Sequence, residues 1–280
     1  MKARAWIKLL RVSQWLKNLM LFFPPFLSGS ISGSDAARGA LPFSAFCLVS
    51  SATYIYNDVR DRHIDSLHPV KRTRAVSSGT ISVPTALSGA VFLAVAGGGI
   101  GRAVSGTFFL LLALYAVVSI AYSSMLKNYP IVDLFCIASG FLIRLEAGGT
   151  AFGIPVSNWL FLSVFLLALF LSTGKRLSER RVLGAEAGGH RKTLDLYPEG
   201  FLDGVMYMTG AAVLVTYTMY SLPRPLLVYS VPLCCFGLLR FIFRVKSGLS
   251  GDPTESLTRD PVLFAVAVAW TFMIFLGIYG

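Results

Sequence analysis

The chain has 280 residues, of which 55% are hydrophobic and only 14% charged, with a mean hydropathy of +0.66. A soluble domain of this length carries roughly a quarter charged residues, so the composition excludes an ordinary soluble enzyme and indicates a single all-α membrane domain over residues 1–280. The net charge of +11 does not point to nucleic acid, because the basic residues gather in short segments between apolar runs.

The first stretch, Met1 to Asn18, alternates Trp6, Leu9, Leu10 and Trp15 with Lys2, Arg4, Lys8, Arg11 and Lys17. It has no small-residue cleavage site after a short apolar core and reads as an interfacial helix. A helix needs about 20 apolar residues to cross the hydrocarbon core. Nine windows qualify, near 19–34, 41–59, 84–101, 106–124, 131–152, 158–174, 204–222, 226–243 and 261–279, the first interrupted by Pro24 and Pro25. With the N-terminus in the cytoplasm, alternation places 21 of the 25 Lys and Arg residues on the cytoplasmic side. Only Arg38, Arg102, Arg144 and Arg224 fall elsewhere, and an even number of spans would scramble the later loops. The expected location is therefore a plasma membrane crossed many times, with the long polar loops, and any chemistry, in the cytoplasm. Cys47, Cys136, Cys234 and Cys235 lie in apolar stretches without metal-ligand spacing and read as small buried hydrophobes.

The second window ends in Tyr54-Ile55-Tyr56-Asn57-Asp58-Val59-Arg60-Asp61-Arg62-His63-Ile64-Asp65. Asn57, Asp61 and Asp65 are four apart and share a helix face, with Asp58 bordering it. Hard oxygen donors crowded this way suit Mg²⁺, which keeps its remaining positions for water and substrate phosphate. The plainer reading is a solvated helix end, its acids paired to Arg60 and Arg62. Directly after it, His68-Pro69-Val70-Lys71-Arg72-Thr73-Arg74 and Ser77-Ser78-Gly79 form a basic, hydroxyl-rich receptor for phosphate oxygens.

Further along, Asp133, Arg144 and Glu146 sit in the fifth window, where charge is expensive and usually functional. Asp133 and Arg144 are eleven apart and share a face. The glycines at 97–99, 148 and 149 read as close-packing positions. The loop after the sixth window opens Lys175-Arg176-Leu177-Ser178-Glu179-Arg180-Arg181 and runs on through Glu186, His190, Arg191 and Lys192, with more basic than acidic residues.

The run Asn57-Asp58-x-x-Asp61-x-x-x-Asp65, with Lys71-Arg72-Thr73-Arg74 and Ser78-Gly79 after it, resembles the first aspartate-rich motif of the UbiA superfamily. That resemblance implies a bundle of nine membrane helices with a cytoplasmic-facing active site, Mg²⁺ as cofactor, and Asn57, Asp58, Asp61 and Asp65 as its ligands. Family members usually carry a second aspartate-rich motif between spans 6 and 7, which Lys175, Arg176 and their neighbours replace here. In this respect, and in Gln14-Trp15-x-Lys17-Asn18, Tyr122-Ser123-x-x-Leu126-Lys127, Asp133, Ser139-Gly140 to Arg144 and Glu179, the chain is similar to the decaprenyl-phosphate phosphoribosyltransferase branch. The implied reaction moves phosphoribose from phosphoribosyl diphosphate to a polyprenyl phosphate. Asp58, Asp61, Asp65 and Asp133 would be its catalytic acids. Lys17, Tyr54, Lys71, Arg72, Arg74, Tyr122, Lys127, Arg144, Lys175, Arg176 and Glu179 would bind substrate, with Asp133 the candidate partner of a ribose hydroxyl. A homo-oligomer is compatible with the sequence. Two other readings are a conventional prenyltransferase, which needs a second acidic site, and a transporter using the intramembrane charges, which leaves the Asn57–Asp65 spacing idle.

Overall fold

The computed structural model describes residues 2–30, 35–67, 71–183, 192–224 and 226–280. Those residues are helical throughout apart from turns and short connections. Helix α1 (Lys2–Leu10) ends at Arg11, whose left-handed backbone (φ 50°, ψ 49°) starts an eleven-residue 3₁₀ segment, Val12–Phe22. A short helix α2 (Phe23–Ser28) follows, with Pro24 and Pro25 in its first turn, where a missing N–H costs nothing. The first apolar window is thus divided, and its residues 31–34 lie outside the described residues.

Helix α3 (Asp35–Leu67) has 33 residues, about 50 Å at the α-helical rise against a hydrocarbon core of about 30 Å. Its surplus turns carry Asp61 and Asp65 past the apolar stretch. Helices α4 (Val83–Val104) and α5 (Gly106–Ser124) form a hairpin turned at Ser105, which ends one helix and caps the next by accepting the Phe108 N–H at 3.0 Å. Next come α6 (Val132–Phe152), α7 (Asn158–Leu183), α8 (Lys192–Leu196) and α9 (Phe201–Ser221). A 3₁₀ turn (Leu227–Ser230) leads to α10 (Val231–Lys246), α11 (Pro253–Arg259) and α12 (Pro261–Tyr279).

Among the described residues, seven of the nine windows become helices long and apolar enough to cross a membrane: α3, α4, α5, α6, α7, α12, and the last 3₁₀ turn running into α10. The window at 204–222 becomes α9, 21 residues long, but its threonines and tyrosines lower its hydropathy below that class. The hydroxyls bond back into their own helix, Thr209 to Val205 O at 2.7 Å, Thr216 to Ala212 O at 3.0 Å and Thr218 to Leu214 O at 2.7 Å. Satisfied this way, they are compatible with a water-poor interior.

Contacts divide the chain into two compact units. Unit 1 comprises residues 1–26, 30–127 and 143–155. Its core joins Phe46, Val49, Phe108, Leu112 and Ala147, with a second cluster of Leu9, Ile55, Val59, Val76 and Ala86 under α1. Two glycines allow close packing there. A Cβ on Gly97 would lie 3.0 Å from Ala45 O, and one on Gly148 only 2.2 Å from Leu21 O; at Gly99 nothing stands within 4 Å. Unit 2 comprises residues 27–29, 128–142 and 156–280. Its core joins Leu134, Ala138, Phe170, Tyr197, Met206, Val213 and Phe241. Asp260 caps α12, accepting the Val262 and Leu263 N–H groups and the Arg240 and Arg244 side chains. Burial alone would raise its carboxyl, but these donors hold it down, to about 2.

Candidate functional site

Asp58, Asp61 and Asp65 are paired, with partners 9 to 66 residues away in the chain. Asp58 and Asp65 are each 3% exposed. Arg74 donates through one nitrogen, Nη1, to Asp58 Oδ1 at 3.1 Å and Asp65 Oδ2 at 2.6 Å. Arg11 also donates to Asp58 Oδ1, with its guanidinium 5.0 Å above the Tyr54 ring. Asp61 takes Lys127 instead. Lys127 follows the end of α5, which is fixed to α3 by a 2.9 Å hydrogen bond between Tyr56 and Ser124. The local partners of the plainer reading are otherwise engaged: Arg60 donates to Ser124 O, and Arg62 to Val59 O.

The helix places Asp58 and Asp65 two turns apart on one line, so a single cation spans them, while Asp61 leans away toward Lys127. Of Asn57, Asp58, Asp61 and Asp65, the structure brings Asp58 and Asp65 together on Arg74. Among the described residues, no three His, Cys, Asp or Glu side chains converge as a metal cage. What remains is a carboxylate pair with a cation between its oxygens. That pair fits Mg²⁺, which uses one or two carboxylates and fills its other positions with water and phosphate. Asn57 and Asp61 flank the pair on the same helix.

Lys17, Lys71 and Tyr122 are half-buried in unit 1, and Arg72 is exposed on the 3₁₀ turn Lys71–Thr73. Arg144 is 4% exposed. It donates to Asn18 Oδ1 at 2.7 Å and Tyr115 OH at 2.9 Å, with its guanidinium 4.4 Å from the Tyr115 ring centroid. Its role there is to fix the 3₁₀ segment against α5 and α6. Direct substrate binding, as expected of it, would need those partners to let go.

Unit 2 holds a second constellation. Asp133, at the start of α6, is fully buried and accepts from Arg176 Nε at 2.9 Å and from Tyr197 OH at 2.6 Å. Arg176 is 1% exposed and donates in turn to Glu179 at 2.9 Å. Tyr197 OH accepts the N–H of Ile131, whose φ of 68° is unusual for a β-branched residue. Burial, and the hydrogen bond to Asp133 after it, push the Tyr197 phenol above its ordinary range, so it stays protonated and donates. Lys175, more open, pairs with Asp252 at 2.9 Å. Asp133 and Arg176, read from the sequence as groups facing substrate, thus bind each other, and Lys175 is the accessible cation of the Lys175-Arg176 pair.

Three residues of these networks were not legible as site residues. Arg11 read as one basic residue of an interfacial helix, and Tyr197 and Asp252 carried no motif; Asp252 also caps α11, accepting the Thr254 N–H at 3.1 Å. His68, Glu186, His190 and Arg191 lie outside the described residues.

A family model described as the UbiA prenyltransferase family matches residues 22–258. The chain belongs to the UbiA prenyltransferase family. This UbiA chain is 33% identical to the decaprenyl-phosphate phosphoribosyltransferase of Mycolicibacterium smegmatis, an alignment covering 98% of the chain and 92% of the relative. It is 30% identical to the protein of the same name from Corynebacterium glutamicum, covering 98% and 86%. The structure of a UbiA homologue from Archaeoglobus fulgidus bound to GPP and Mg²⁺ superposes with a TM-score of 0.74 at 21% identity, covering 99% of this chain and all of the other. The UbiA-type helical membrane bundle expected from the sequence is borne out.

Proposed function

We propose that this UbiA protein transfers phosphoribose from phosphoribosyl diphosphate to a polyprenyl phosphate of the decaprenyl type, releasing diphosphate. One observation carries the reading. Where a prenyl-transferring relative has a second set of acids, unit 2 has Lys175 and Arg176, with Arg176 already held by Asp133 and Glu179. Lys175, the accessible cation of the two, receives a phosphate monoester directly, without a metal bridge. The relatives named decaprenyl-phosphate phosphoribosyltransferase, matched over nearly the whole chain, support the same assignment.

In this reading Asp58 and Asp65, with Asn57 and Asp61 beside them, would hold Mg²⁺ against the donor diphosphate. The metal supplies charge neutralisation for the leaving group. An oxygen of the polyprenyl phosphate forms the new bond to the anomeric carbon as the bond to diphosphate breaks, the electron pair leaving with the diphosphate. The acceptor is already an anion and needs no general base. This chain's residues therefore orient and neutralise: in unit 1 Arg74, Lys71 and Lys127 meet the donor phosphates, and in unit 2 Lys175 meets the acceptor phosphate. Asp133 acts through Arg176. The lopsided distribution of Lys and Arg supports an N-terminus and active site in the cytoplasm, with nine crossings of a plasma membrane.

The test offers purified protein polyprenyl phosphate and Mg²⁺ with either labelled phosphoribosyl diphosphate or a labelled prenyl diphosphate. Label is expected in the lipid fraction from the phosphoribosyl donor alone; incorporation only from the prenyl donor would establish a conventional prenyltransferase instead.

A further inference from the structure

Two buried carboxylates of α3 and two guanidinium groups from outside it make one charge-balanced cluster in unit 1. Asp58 and Asp65 share Arg74, and Asp58 also takes Arg11. Beside Asp58 lies a cavity of about 130 Å³, lined also by Lys8, Leu9, Arg11, Thr73, Arg74 and Ala75. Its volume is about four water molecules' share of liquid, the scale of one phosphate group. Three cations and a hydroxyl against one carboxylate make it an anion's cavity. Arg11 and Arg74 border both the carboxylates and the cavity. The left-handed backbone of Arg11 and its stacking on Tyr54 hold its guanidinium at that boundary, a conformation that a non-glycine residue adopts only where its surroundings impose it.

We propose that Arg11 and Arg74 are resident counter-ions, holding the metal's carboxylates while the metal is away and passing to a phosphate in this cavity when it arrives. The inference rests on reading Asp58 and Asp65 as metal ligands, and it deepens that reading: metal and phosphate bind as a coupled pair. A divalent cation arriving alone must take the carboxylates from two guanidinium groups and leave those cations without partners, which is strongly unfavourable for partly buried charges. Arriving with a diphosphate, it brings new oxygen partners for the same guanidinium groups, in charge-assisted and bidentate geometry. Linkage makes the coupling reciprocal.

The test titrates the purified full-length protein with Mn²⁺, followed by electron paramagnetic resonance, with and without inorganic diphosphate. Diphosphate is expected to tighten Mn²⁺ by about ten-fold or more, within the span of coupled sites, and Mn²⁺ to tighten diphosphate by the same factor. Arg74→Gln is expected to bind Mn²⁺ alone more tightly than the native protein does, with the coupling reduced to about two-fold or less. Arg11→Gln, which leaves the Arg74–Asp65 contact in place, should shift both quantities the same way and serves if the first variant fails to fold. Independent binding of Mn²⁺ and diphosphate to the native protein overturns the proposal, as does unchanged or weaker Mn²⁺ affinity in the variants. Because the probe is diphosphate, a protein that shows coupling yet transfers no phosphoribose keeps this inference and loses the functional reading. One that transfers phosphoribose without coupling does the reverse.

Discussion

Tyr197 shows how much a single side chain can organise. Its hydroxyl donates to the buried Asp133 and accepts from the Ile131 backbone, while its ring stacks on Phe201 at 5.7 Å. Tyr197→Phe keeps the ring and removes the oxygen, so the Ile131 N–H loses its acceptor and Asp133 loses one of its donors. The expected loss is about 1–3 kcal/mol for the buried donor left unsatisfied, seen as a lower unfolding temperature in detergent. Because Asp133 then orients Arg176 less firmly, affinity for the polyprenyl phosphate should fall while donor affinity stays unchanged. Loss of donor affinity instead would move Asp133 to the donor's side of the reaction.

At the scale of helices, the glycines separate two kinds of position that look alike in sequence. Gly148 lies where a Cβ would sit 2.2 Å from Leu21 O, whereas Gly99 faces open space. Gly148→Ala must push the 3₁₀ segment from α6, at an overpacking cost of about 1–3 kcal/mol or more; Gly99→Ala should leave stability unchanged or raised. Thermal unfolding of both variants in one detergent checks the contrast, and equal losses would refute it. The same scale shows what could be read in advance. Long apolar runs with clean ends, such as Gly106–Ser124 and Pro261–Tyr279, became helices within a residue of their windows. Residues 19–30 did not form one helix, because a 3₁₀ stretch gives way to a short helix at the two prolines. The acids of α3 were legible from their spacing, but their partners were not. Arg11 and Asp58 are 47 residues apart, and Asp133 and Arg176 are 43 apart, so nothing local in the sequence links them.

For the molecule as a whole, the distribution of charge is the property most open to test. The proposed topology puts the segment after α3 in the cytoplasm and the α6–α7 connection outside. In a chain whose four native cysteines are replaced by alanine, Ser157→Cys should react with a membrane-impermeant thiol reagent added to intact cells, and Ser78→Cys only once the membrane is opened. Both positions are exposed. Labelling of the two from the same side would remove the orientation and, with it, the cytoplasmic site.

The Asp61–Lys127 pair bears on how the protein is made. Synthesis runs from the N-terminus, so Arg11 already exists when Asp58 leaves the ribosome, whereas the partner of Asp61 follows 66 residues later. Between them lie α4 and α5, the hairpin that packs on α3. Asp61 therefore waits at the membrane surface, neutralised only by water and salt, until the hairpin has been inserted and brings Lys127 back to it. Completion of that hairpin and pairing of Asp61 are one event, which comes before α6 adds Arg144 and Ala147 to the same unit.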